Sequence, residues 1–230
     1  MKKIAILISS FFVFLACQQK QIPVFFKKYD ETSAIEKQQN HANGRMKFKL
    51  FQSKYTDMNA IFKPFENDLA YFSEQDYQKL KPLILEQDIP TLQKNVKEGK
   101  LTYEKLTLFY LYRIRKFESD STLSLNSIIS LNPFVIKQAK ENDKNAQNIG
   151  DFSVYGMPIL LKDNINTLNM PTTAGAVALR DNKTKNDAFI VEKLKQNGAL
   201  ILGKVNLSEW AYFFCGDCPS GCALWIRGDS

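Results

Sequence analysis

The sequence predicts an α/β domain. Three observations carry that class. Ile159-Leu160-Leu161, entered from Gly156, and Ala199-Leu200-Ile201-Leu202, entered from Gly198, are short apolar runs that read as buried strands. Between them, Ala188 to Gln196 reads as a helix, with Asp187 as its cap and Asn197-Gly198 as its stop. Strand, loop, helix, strand in that order predicts a parallel pair joined by a crossover.

The chain has 230 residues, enough for one domain with a real core, and 44% of them are apolar and 12% aromatic. Met1-Lys2-Lys3 followed by the apolar run from Ile4 to Ala16 fits an export signal and is too short for a membrane-spanning helix. Its end, Phe14-Leu15-Ala16-Cys17, resembles the lipobox of bacterial lipoproteins, although Phe14 departs from the usual aliphatic residue. That resemblance implies Cys17 as the lipid attachment site and a membrane-anchored protein at the periplasmic or cell-envelope face. Several acyl chains on one cysteine supply the multi-chain anchorage that stable attachment needs. A plain secretory peptide that discards Cys17 is the alternative. Residues 18–72 are polar and rich in Lys, Gln and Asn, and read as a tether and N-terminal extension with irregular or helical packing segments.

From there the signals sharpen. Asp88 caps a helix with Pro90 in its first turn and Gly99 just beyond its end. Thr102 caps the next, with Glu104 in its first turn. Leu106, Phe109, Tyr110, Ile114 and Phe117 give that helix one apolar face, read as core packing. Leu125 to Leu131 reads as a strand. Asn132-Pro133 opens a further helix to about Asn142, followed by a polar connection to Gly150.

The 31 basic and 24 acidic residues leave a net charge of +7. Such an excess can serve a polyanion partner, but the lysines are scattered, with no basic run interleaved with aromatics, and that distribution argues against nucleic acid. His41 is the single histidine, in a polar stretch far from any motif. A Ser-His-Asp triad or a histidine-rich metal site is therefore not expected, and proton transfer falls to Lys, Asp, Glu, Tyr or Cys. The spacing of Cys215, Cys218 and Cys222 offers three ligands without a fourth, so a metal or redox role carries little weight. A Cys215–Cys218 disulfide or free thiols fits better. No cofactor and no metal is expected.

One residue draws the chemistry together. Lys162 closes an apolar strand where the chain leaves the core, and is either a surface charge or an amine partly stripped of water. The stretch Gly156-Met157-Pro158 with Lys162-Asp163-Asn164, then Thr172-Thr173-Ala174-Gly175, Asp187-Ala188, Gly198-Ala199 and Leu202-Gly203-Lys204-Val205-Asn206-Leu207-Ser208-Glu209 resembles the amidase signature family. No piece is diagnostic alone; their order and spacing are. The resemblance covers roughly residues 75 to 221.

The resemblance implies the N-terminal part of the amidase signature fold, a mixed sheet core covered by helices, incomplete in this chain. It also implies hydrolysis of a carboxylic amide C–N bond in a small-molecule or peptide substrate. The family's triad is Ser–Ser–Lys, the lysine acting as base through a bridging serine on the nucleophilic serine. Only Lys162 matches its lysine. An unperturbed lysine, with a pKa of about 10.4, holds its proton at neutral pH, and burial against the apolar strand is what would free it to act. The family's serines lie downstream in a segment of the type Gly-Gly-Ser-Ser-Gly-Gly-Ser, whose amides also form the oxyanion hole. The sequence has no such segment, and Ser208 and Ser220 precede the place where those serines belong. The last residues, Cys222 to Ser230, read as a shifted frame or an artificial end. The expected organisation is thus 1–17 export signal, 18–72 tether and extension, 73–221 N-terminal portion of the amidase signature domain and 222–230 aberrant tail. An inactive amidase portion is the leading expectation; a non-enzymatic truncated lipoprotein is the alternative.

Overall fold

In the computed structural model, residues 32–44, 47, 57–120, 123–207 and 211 are described. After α1 (Thr32–Gln39), three short turns of helix lead into the body: α2 (Met58–Phe62), a 3-10 turn at Lys63–Phe65 and α3 (Glu66–Leu69). Met58, Phe62, Phe65, Leu69 and Phe72 are all buried there, so the end of the stretch read as an extension contributes to the core. Fully burying one such side chain is worth roughly 1.5–3 kcal/mol.

Next comes α4 (Glu74–Ile84), which the sequence reading did not anticipate. Its signal is nonetheless local. Ser73 Oγ accepts from the Asp76 amide at 3.1 Å while Asp76 accepts from the Ser73 amide at 2.8 Å, a reciprocal cap. The two helices expected next form as read. Asp88 caps α5 (Ile89–Lys97) by accepting from the Thr91 amide at 2.9 Å, and Gly99 follows with φ +70°. Thr102 caps α6 (Tyr103–Glu118) through the Lys105 amide at 3.0 Å. Asp143 adds two more acceptors, to the amides of Tyr103 at 2.7 Å and Glu104 at 3.0 Å. Leu106, Phe109 and Leu111 are buried along α6, and the Tyr77 and Phe109 rings stack with centroids 4.8 Å apart.

Among the described residues, three strands form a mixed sheet in the order β1-β3-β2. β1 (Ile128–Leu131) runs antiparallel to β3 (Leu200–Val205), and β2 (Pro158–Lys162) runs parallel to it. The crossover helix is α8 (Phe189–Gln196). β1 is shorter than expected because Asn126 takes a left-handed φ of +51°, ending any extended run before Ser127. Glu118 secures that turn, accepting from Ser124 Oγ at 2.8 Å and the Ser127 amide at 3.1 Å.

Two helix starts differ from expectation. Asn132 accepts from the Phe134 amide at 3.1 Å and makes a turn, so α7 (Val135–Asn145) begins two residues after Pro133. Asp187 does not cap α8. Its carboxylate accepts instead from the Leu168 amide at 2.9 Å and from Lys195 Nζ at 2.6 Å, and the N-cap residue is Ala188 without a side-chain cap. Those bonds draw on a loop and on the helix's own last turn, leaving no acceptor aimed at the first-turn amides.

The sheet separates two apolar clusters by strand alternation. Leu200 and Leu202 pack with Ile128, Leu131, Val135, Ile136 and the helical core, while Ile201 packs with Leu161, Met170 and Val191. β2 enters through Gly156, whose amide donates to Gly198 O at 2.9 Å and whose φ is +72°. The Tyr103 ring fills the place a Cβ would take, so only glycine passes there. Behind that entry, Tyr103 Oη donates to Gln93 Oε1 at 2.8 Å, and Gln93 Nε2 donates to the carbonyls of Ser153 at 2.8 Å and Tyr155 at 2.9 Å. This buried network fixes the start of β2 to α5 and α6. Burial pushes the Tyr103 phenol up to about 12.

Candidate active site

Lys162 ends β2 opposite Val205 of β3. Its side chain is exposed, which corrects the expectation that the apolar strand would bury it. Side chains alternate across a strand, so Leu161 faces the inner cluster while Leu160 and Lys162 share the other face. On that face β2 has no neighbour on its outer edge among the described residues. Leu160 is 39% exposed and borders an open groove of about 540 Å³, shared with Pro158, Leu202, Ile114, Phe117 and Leu125. An apolar run buries only alternate members unless both faces and both edges are covered.

The buried lysine is Lys204, one strand away, and its importance was not seen in the sequence. It pairs in register with Leu161 on one side and Ser130 on the other, in the central strand, and none of its side chain is exposed. Its ammonium lies 3.3 Å from Asp163 Oδ1, an ion pair without hydrogen-bond alignment. It also donates to Pro171 O at 3.3 Å and Thr172 Oγ1 at 3.2 Å. Burial draws the Lys204 pKa below the ordinary lysine range, and the Asp163 carboxylate opposes that shift.

Asp163 completes the arrangement. Its Oδ2 accepts from the Thr173 amide at 3.1 Å and from the Thr173 hydroxyl. Its backbone amide donates to Val205 O at 3.0 Å, and its carbonyl accepts from the Ala174 amide at 3.2 Å. Thr172, Thr173 and Ala176 are buried, and the loop turns through Ala174 and Gly175 at φ +49° and +72°. The signal that would have revealed this pair was present: a lysine inside a fully apolar strand demands a buried partner, and Asp163 stands at the end of the strand beside it.

His41 is exposed and its Nδ1 accepts from the Asn43 amide at 3.0 Å. Cys17, Ser208, Ser220, Cys215, Cys218 and Cys222 lie outside the described residues.

The quoted stretches thus meet along β2 and β3: Gly156 is bonded to Gly198 where the two strands begin, and Asp163, Thr172, Thr173 and Lys204 are in contact at their far end, with Lys162 at the rim. The model of the family described as Amidase matches residues 105–220. The chain belongs to the amidase family. Among its relatives, a "Probable amidase" of Arabidopsis thaliana is 37% identical over 128 residues, covering 54% of this chain and 24% of that protein. A glutamyl-tRNA(Gln) amidotransferase subunit from Thermoanaerobacter pseudethanolicus is 33% identical over 124 residues, covering 54% and 25%. Among solved structures, an amidase family protein from Bacillus anthracis superposes with a TM-score of 0.61 at 34% identity, covering 67% of this amidase chain and 30% of that one. The native peptide amidase of Stenotrophomonas maltophilia gives 0.53 at 39% identity, covering 58% and 27%. The chain spans about a quarter of the length of the curated relatives it matches. The mixed α/β fold agrees with these amidase structures.

Proposed function

We propose that this amidase chain supplies the base of a carboxylic-amide C–N hydrolase, with Lys162 as the proton acceptor. The observation that carries the reading is the position of Lys162. It stands in the stretch that resembles the family's lysine motif, at the end of a strand paired with β3, with its side chain exposed. In the triad that the resemblance implies, a neutral Lys162 amine takes a proton from a bridging serine. That serine takes one from the nucleophilic serine as its oxygen bonds to the amide carbon. The C–N bond then breaks, the amine departs with a proton, and water releases the acyl group.

Two conditions stand between the described residues and that reaction. The exposed amine must lose its water to work as a base near neutral pH, and a covering polypeptide is the means. The nucleophile, bridging serine and oxyanion amides must also come from a Gly/Ser-rich segment, which these 230 residues do not contain. The substrate class goes no further than carboxylic amides. The similar proteins include a peptide amidase and a protein of tRNA amidotransferases, whose names share the amide and little else.

The proposal therefore has this chain inactive when tested alone. Purified 230-residue protein and its Lys162→Ala variant are incubated with peptide amides and aryl amides while ammonia or amine release is followed. Equal, background-level release from both is expected. Hydrolysis by the parent that Lys162→Ala abolishes would show that serines elsewhere in the chain complete the site. The alternative, a non-enzymatic remnant, draws its support from the same missing segment.

A further inference from the structure

The reaction proposed above uses Lys162 and leaves Asp163 and Lys204 without a part in proton transfer. Their burial still has to be explained. Removing two charges from water costs about as much as their attraction returns, and apolar replacements of similar volume are often neutral or stabilising. Such a pair is weak as a source of stability. What it supplies is direction.

Here the directions are specific. Lys204 reaches Asp163 Oδ1, Pro171 O and Thr172 Oγ1, all at 3.2–3.3 Å, so its three ammonium hydrogens have three oxygen neighbours from two chain segments. Asp163 uses its amide on β3, through Val205 O at 3.0 Å. Its carbonyl accepts from the Ala174 amide at 3.2 Å, and its Oδ2 accepts from the Thr173 amide at 3.1 Å. The residue that follows Lys162 is therefore tied to the central strand on one side and to the 171–176 loop on the other. That loop holds Ala174 in left-handed backbone at φ +49°, a conformation that a non-glycine residue keeps only where its surroundings enforce it.

We infer that the Asp163–Lys204 pair is a positioning clamp that fixes Lys162 at the end of β2 and seats the 171–176 loop beside it. The inference rests on the reading of Lys162 as the working amine, but its test does not. Lys162 is the residue positioned; Asp163 and Lys204 act through it and through the loop.

Backbone NMR and amide exchange on the full chain provide the test. The double variant Asp163→Asn/Lys204→Met removes both charges without leaving one of them buried alone. It is expected to keep the sheet, with Ile201 and Leu202 amides exchanging within about threefold of the parent, while Thr173 and Ala174 exchange at least about tenfold faster. The heteronuclear NOE of the Lys162 amide is expected to fall as well, a signature that lost stability alone does not produce. Thr173→Val removes one hydroxyl and no charge, so it keeps the test open if the double variant fails to fold. It is expected to show the same loop-selective rise at a smaller size. Unchanged Thr173, Ala174 and Lys162 signals would overturn the clamp. So would a rise of equal size across β3, which is the mark of a pair that only stabilises. Lys162→Ala is expected to leave loop exchange at the parent rate, so a failure of the catalytic reading stays separate from a failure of this one.

Discussion

Two lysines close two neighbouring apolar strands, and the structure treats them in opposite ways. Ile159-Leu160-Leu161 leads to Lys162, and Leu200-Ile201-Leu202-Gly203 leads to Lys204. In sequence the two runs look alike. Lys162 is exposed, whereas Lys204 has no exposed side-chain surface. The difference lies in what surrounds each strand. β3 is central, with β1 and β2 on its two edges, and the 171–176 loop covers its end through Pro171 and Thr172. Among the described residues β2 has one partner and an open face. Hydrophobicity of the preceding run therefore says that a strand is buried somewhere along its length. Strand order and capping decide whether the residue at its end is dry.

The sharpest way to break this comparison is to remove each ammonium in turn. Lys204→Met leaves Asp163 buried without its counter-charge, and breaking a buried pair from one side costs about 3–5 kcal/mol. That is a large share of the roughly 5–15 kcal/mol by which domains are stable. Urea unfolding is expected to show a strongly lowered midpoint. A loss below about 1 kcal/mol would mean that Lys204 is already neutral or hydrated in the folded chain, and the contrast with Lys162 would collapse.

A second, smaller effect sharpens the contrast through pH. Burial holds the Lys204 pKa below the ordinary lysine range, with Asp163 pulling against it. In the unfolded chain it returns to about 10.4. Between those two values the unfolded state carries a proton that the folded state has released, so stability rises with pH across that window. Below the window the ammonium's desolvation is carried in full and this contribution is at its minimum. Above about pH 10 the raised phenol of Tyr103 acts in the other direction, because the folded state then holds the extra proton. The expected result is a rising urea midpoint between the lowered Lys204 value and about pH 10, which is absent from Lys204→Met. A parallel pH profile in the two proteins would show that Lys204 does not titrate in that range.

Much of the fold was readable because it rests on local chemistry. Asp88, Thr102, Gly99 and Gly198 act where their residue types said they would, as caps and left-handed stops. The parallel β2–β3 pair followed from element order alone. What escaped was mostly non-local. The cap at Ser73 was overlooked although its partner is three residues away, but Asp187 looks like a cap and is used elsewhere because Leu168 and Lys195 reach it first. Neither of those contacts has a sequence signature. In the site, the resemblance singled out Lys162 and Asp163 as neighbours in a motif, and Lys204 as one letter of another. Their union across the sheet needed the register that puts Lys204 between Leu161 and Ser130. Residue spacing carries no information on which strand lies in the middle.

The smallest expected effect is the most informative about function. Lys162 is exposed, and the described residues place no buried partner on its side chain, so Lys162→Ala is expected to change stability by no more than about 0.5 kcal/mol. Equilibrium unfolding of the two proteins side by side measures it. A near-zero value has a consequence for how the residue is understood. Burial and pairing make Lys204 necessary to the folded chain whatever the protein does, while nothing in the described packing requires a lysine at 162. On the proposed reading, Lys162 matters through chemistry that begins when its amine is covered and brought to a serine. A loss of about 2 kcal/mol or more would reverse that assignment, because it would mean Lys162 is held by the fold in a buried contact and is a structural residue like its neighbour.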